Sequence, residues 1–128
     1  MIRFDFREEA AFTRQIPDLF GTDNNYSAFQ TLLNENPRKG DVIPDSGGIR
    51  KIRYRDITRG KGQRGGVRII YLFIEQYELI LLIRGYNKNI PDLTPAQRAV
   101  VKQLAEDFTE QVRVERDLLK RQRERQTW

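Results

Sequence analysis

Eight cations and six glycines fall within 22 residues of this chain, from Gly47 to Arg68. The cations are Arg50, Lys51, Arg53, Arg55, Arg59, Lys61, Arg64 and Arg68, and Asp56 is the one acidic residue among them. The whole chain has a net charge of +5, so this stretch exceeds the total and the remainder is slightly acidic. Concentrated charge of this kind attracts a polyanion, and the commonest cellular polyanion is nucleic acid. Chemistry on RNA is within reach of such a group. A lysine with ordinary pKa near ~10.4 is almost wholly protonated at neutral pH. A second cation ~6 Å away, at an effective dielectric of ~20, disfavours its charge by roughly 3 kcal/mol, about 2 pKa units. Such a lysine can take a proton from a 2′-hydroxyl while neighbouring guanidinium groups stabilise a pentavalent phosphate. Residue types alone leave a second reading open: a solvated or RNA-binding face without catalysis.

Composition narrows the chemistry. The chain has 128 residues, the size of one domain. It has no cysteine and no histidine. That excludes a disulfide framework, a thiolate nucleophile and the commonest general base and metal ligand. No metal or other cofactor is expected. The absence of cysteine suits a cytoplasmic protein. The N-terminal stretch MIRFDFREEAAF lacks an apolar h-region, and the longest apolar runs are too short to span a bilayer, so no membrane association is expected. The segment GKGQRGG does not fit GxxxxGK[ST], so the glycine loop is not a nucleotide-binding P-loop.

The elements that must position these cations follow from apolar spacing. Ile2, Phe4 and Phe6 alternate with polar residues as a short edge strand. Phe12, Ile16, Leu19 and Phe20 have helical spacing, with Pro17 expected to kink or restart the helix. A second helix over 23–34 presents Tyr26, Phe29, Leu32 and Leu33 and stops at Asn36-Pro37. Residues 39–48 read as turns. Strands follow at 49–54, 67–74 and 79–83, with a glycine-rich loop over 56–66 and a short turn over 75–78. Residues 67–74 are apolar on both faces, which marks a central strand. Thr94, Pro95 and Gln97 form a capping box for a third helix whose stripe is Val100, Val101, Leu104, Phe108 and Val112. The order β-α-α-β-β-β-α predicts an α+β domain with its helices on one face of a mainly antiparallel sheet. Residues 1–112 form this domain, and 113–128 continue as a basic helical tail.

Alternation sorts the cations. Lys51 and Arg53 share one strand face, opposite Ile52. Arg68 lies at the mouth of the next strand, and Tyr71 falls on the opposite face from it, as a core residue. Lys61 and Arg64 ride on the glycine loop. Asp45 and Asp92 have no paired-carboxylate context and read as turn and loop residues.

Three blocks in order, GDVIPDSGGIRKIRY, GKGQRGGVRIIYLF and YNKNIPDLTPAQRAVVKQLAE, resemble the RelE/HigB-type toxins of bacterial type II toxin–antitoxin systems. The resemblance covers roughly residues 2–108. It implies a RelE-like fold, with two N-terminal helices, an antiparallel sheet and a C-terminal helix. It also implies a ribosome-dependent mRNA endoribonuclease acting without metal. The implied partners are mRNA on the ribosome and a cognate helix-turn-helix, HigA-like antitoxin in a toxin–antitoxin complex. By that resemblance the catalytic positions are Lys51, Arg53, Arg68 and Lys88. Arg50, Arg55, Lys61, Arg64 and Tyr86 are the RNA- or ribosome-binding positions. A non-catalytic nucleic-acid-binding or gyrase-directed relative of the same superfamily is the alternative. The chain departs from the pattern in two places. Ile83-Arg84-Gly85 adds a residue before Tyr86, and Ile90-Pro91 loses one after Asn89.

Overall fold

A computed structural model describes residues 3–55, 66–87 and 90–126. The elements run β1 (Asp5–Glu8), α1 (Ala10–Phe20), α2 (Asp23–Glu35), β2 (Asp41–Val42), β3 (Arg50–Tyr54), β4 (Val67–Ile74), β5 (Leu79–Asn87) and α3 (Pro95–Gln126). The five strands form one sheet in the order β1-β5-β4-β3-β2. The architecture is α+β. β1 lies at the edge, as its alternation predicts, but pairs parallel to β5, so the sheet is mixed. The other three pairings are antiparallel.

Local signals account for the helix ends. The Thr22 hydroxyl caps α2 by accepting from Asn25 N at 3.2 Å. At α3 the capping box is reciprocal: Thr94 N donates to Gln97 Oε1 at 2.9 Å, and Gln97 N to Thr94 Oγ1 at 3.2 Å. α1 runs unbroken through Pro17 and ends at Gly21, whose φ of 77° suits a residue without a Cβ.

The helices cover both faces of the sheet, not one. Phe12, Leu19, Phe20, Phe29 and Leu33 of α1 and α2 pack with Ile52, Tyr54, Val67, Ile69, Tyr71, Ile80 and Leu82 on one face. Its centre is aromatic, with Phe20–Phe29 and Phe29–Tyr54 ring centroids 5.3 and 4.9 Å apart. On the other face Ile49, Ile70, Leu72, Ile74, Leu79, Leu81 and Ile83 lie under Val101, Leu104, Ala105, Phe108 and Val112 of α3. One apolar face per helix pair and one per strand side leave two cores for three helices, which a strand apolar on both faces requires. Val100 stands off the α3 stripe and is 67% exposed, about one residue's rotation from Val101.

α3 runs along this second face toward the β4–β5 turn, where Arg7 grips Glu115 with two hydrogen bonds of 2.8 and 2.9 Å. Arg116 reaches the carbonyl of Tyr77 at 3.3 Å nearby. The helix continues to Gln126 without a break.

β5 is longer than its apolar run suggests, and it is irregular. Ile70 faces Arg84 and Tyr71 faces Leu82, which leaves Ile83 as an extra residue between them. This bulge resets the phase of the strand. Ile80 and Leu82 point into the aromatic core. An unbroken alternation would send Tyr86 the same way. After the bulge Tyr86 instead packs on the α3 face, opposite Arg68. The residue that lengthens the chain ahead of Tyr86 is thereby absorbed.

Candidate active site

β3, β4 and β5 bring three side chains into one row. Arg53 is the cross-strand partner of Arg68, and Arg68 is the partner of Tyr86. Lys51 lies one step along on β3, opposite Ile70. Strand alternation puts all four on the face that α3 covers, because Ile49 and Ile70 belong to that core while Ile52 and Tyr54 belong to the other. α3 starts only at Pro95 and leaves this end of the sheet uncovered. The result is a cleft of about 480 Å³. Lys51, Arg53 and Tyr86 line it from the sheet, Lys39, Asp41 and Pro44 from the segment around β2, and Asp92, Leu93 and Arg98 from the approach to α3.

The walls are held from behind. The buried Tyr71 hydroxyl donates to Pro37 O at 2.8 Å and accepts from Gly40 N at 2.9 Å, which fixes the loop before β2. A Cβ on Gly40 would lie 2.9 Å from the Tyr71 ring, so this approach needs glycine. Tyr71 is a core residue, as its position in the alternation predicts.

The site's charges are partly compensated. Lys51 Nζ donates to Asp92 Oδ1 at 2.7 Å. That hydrogen bond and the lysine's charge, helped by Arg98 and Arg68, hold the Asp92 carboxyl below the usual carboxylate range. The nearest charged partner of Lys51 is therefore an anion. Asp92 is a loop residue, as its context suggests, but it also belongs to the cleft. Its partner is 41 residues away, and no local pattern signals that pairing. Arg98 went unrecognised for the same reason. The pair is exposed on the aspartate side, with 73% of that side chain open. An ion pair this open contributes at most about 1 kcal/mol, so another anion can replace it.

Two polar atoms in the row stand out. Arg68 Nη1 and Tyr86 Oη are buried and make no hydrogen bond among the described residues. Buried donors are nearly always satisfied. Burial pushes the Tyr86 phenol up, Asp92 adds to the rise, and Arg68 offsets part of it. Tyr86 therefore keeps its proton at neutral pH and can donate. Two unused donors beside a cation-lined cleft suit an incoming acceptor such as a phosphate oxygen.

Not every cation of the basic stretch converges here. Arg50 lies on the opposite strand face and donates to Gly40 O at 2.7 Å and Arg38 O at 3.2 Å. Arg55 follows the end of β3 and is exposed. Lys61, Arg64 and Lys88 lie outside the described residues. Among the described residues no group of acidic side chains is arranged to hold a metal ion. No helix among them is long and apolar enough to cross a membrane.

No family model matches the chain. Among solved structures, that of the isolated RelE toxin of E. coli is similar to it over 80% of this chain and 99% of the other, with a TM-score of 0.44 and 17% identity.

Proposed function

We propose that this chain is the toxin of a type II toxin–antitoxin system, a RelE/HigB-type endoribonuclease that cleaves mRNA on the ribosome in the cytoplasm. The observation that carries the reading is the row Arg53–Arg68–Tyr86, with its two donors that have no partner among the described residues, beside the Lys51 cleft. The three sequence blocks that resemble the family support the same residues.

In this reading a scissile phosphate enters the cleft and replaces Asp92 as the partner of Lys51. The 2′-hydroxyl attacks the adjacent phosphorus. The 2′-O–P bond forms and the P–O5′ bond breaks, giving a 2′,3′-cyclic phosphate and a 5′-hydroxyl. Arg68 and Arg53 stabilise the charge that builds on the phosphoryl oxygens. The protonated Tyr86 hydroxyl donates to a phosphate or leaving oxygen. One of Lys51 and Lys88, as the neutral amine, takes the proton of the 2′-hydroxyl while the other stays charged beside the phosphate; the departing O5′ takes a proton from the Tyr86 hydroxyl, which the new ammonium then restores. A helix-turn-helix antitoxin silences the protein in a complex with it.

The test is growth arrest on induction. Arg68→Ala should abolish it while the purified variant keeps the wild-type circular dichroism spectrum and melting temperature. Undiminished toxicity in a folded Arg68→Ala protein would overturn the assignment.

A further inference from the structure

The part of β5 that carries Tyr86 lies beyond the reach of β1. β1 pairs with β5 only from Leu79 to Leu82. One further backbone bond, Glu9 N to Leu82 O at 2.9 Å, closes that pairing. From the bulge onward β5 has β4 on one side and, among the described residues, no strand on the other. A bulge disrupts the ladder locally, so the phase after it needs a separate restraint.

The side chain of Gln15, on α1, supplies one. Its Nε2 donates to Gly85 O at 2.8 Å, and Gly85 N donates to its Oε1 at 2.9 Å. A carboxamide carries the same donor and acceptor as a peptide group. The two bonds thus give Gly85 what a neighbouring strand residue would give. The glycine also suits this device: a Cβ there would lie 2.8 Å from both Leu19 methyl carbons, so the Leu19 side chain would have to shift to admit one. Gln15 and Leu19 are one helical turn apart and act on the same residue.

We propose that Gln15 is a positioning residue for the cleft: its carboxamide acts as a one-residue strand that holds β5 after the Ile83 bulge and keeps Tyr86 on the Arg68 face. Gln15 touches neither the cleft nor any substrate. It works through Gly85, the residue before Tyr86. The inference rests on the nuclease reading only for its effect on turnover; the placement of Tyr86 is a structural claim.

Gln15→Met keeps the length of the side chain and removes both hydrogen bonds. In the wild type, NMR should show cross-relaxation between the Tyr86 ring and the Arg68 side chain. In Gln15→Met those contacts should weaken or vanish while the Phe20–Phe29 ring contacts persist. Cleavage on programmed ribosomes should fall roughly 10- to 100-fold, as expected of a small misplacement of a site group. In a Tyr86→Phe background the same substitution should cost little, because its effect runs through the lost hydroxyl. Should Gln15→Met fail to fold, Gln15→Glu, which keeps size and acceptor but loses the donor, gives the same comparison. Unchanged Tyr86–Arg68 contacts in a folded variant would overturn the inference. Lost contacts with no cleavage by the wild type would leave it standing and overturn the nuclease reading instead.

Discussion

The sheet face under α3 has two halves that share strands but not chemistry. Toward the β4–β5 turn it is Ile70, Leu72, Ile74, Leu79, Leu81 and Ile83, sealed by Ala105, Phe108 and Val112. Toward the other end it is Lys51, Arg53, Arg68 and Tyr86, of which Lys51, Arg53 and Tyr86 line a cleft. On β4 the change takes one step of the alternation, from Ile70 to Arg68. The sealed half is satisfied: its side chains contact each other and need nothing more. The open half is not. It keeps a carboxylate on its lysine and leaves Arg68 Nη1 and Tyr86 Oη without hydrogen-bond partners among the described residues. Packing is concentrated in the first half and uncompensated polar groups in the second, and the continuous strands hold the one against the other.

Substitutions can break this division or sharpen it. The largest expected effect is that of Arg68→Ala on turnover. In the proposed mechanism Arg68 meets the developing charge, so its loss should cut the rate of cleavage on programmed ribosomes by about 10²- to 10³-fold. Its unfolding transition should barely move, because no hydrogen bond among the described residues involves the buried nitrogen. Leu81→Ala should do the reverse. Leu81 is 1% exposed, and its truncation should cost about 2–5 kcal/mol by urea denaturation while the remaining folded protein cleaves at the wild-type rate. If Arg68→Ala unfolds the protein, or Leu81→Ala abolishes cleavage in the folded fraction, the division fails.

The smallest effect concerns Asp92. Asp92→Asn removes the anion that competes with phosphate, so a 2′-deoxy-substituted RNA should bind several-fold more tightly at low salt, by fluorescence anisotropy. The pH dependence has a definite sign. The Asp92 carboxyl is held below its ordinary range. It therefore stays ionised from pH 8 down to 5, and wild-type affinity should be flat there as far as Asp92 is concerned. Affinity should rise only at lower pH, as the carboxylate takes a proton, and Asp92→Asn should lose that rise.

Much of this arrangement is legible in the amino-acid sequence. The alternation in residues 49–54 puts Lys51 and Arg53 together and opposite Ile52, because strand period is a local property. The Thr94–Gln97 capping box sets the start of α3, and so the place where the sheet emerges from under it. Other features depend on long-range pairing, which has no local signature. The parallel partnership of β1 and β5 joins residues 74 apart, from Asp5 to Leu79. The placement of helices on both faces follows from that crossing. Lys51 finds Asp92 only in three dimensions. The bulge is the instructive intermediate case. Its extra residue was visible as a departure ahead of Tyr86, but its consequence, the return of Tyr86 to the Arg68 face, needs the register of β4 against β5.

The central claim is that the open half of this face cuts RNA, and the most direct measurement is a map of message 5′ ends after induction. The wild type should produce new 5′-hydroxyl ends within translated reading frames, and Arg68→Ala should produce none. Intact messages in cells arrested by the wild-type protein would contradict the account and identify the cleft as a binding surface without catalysis.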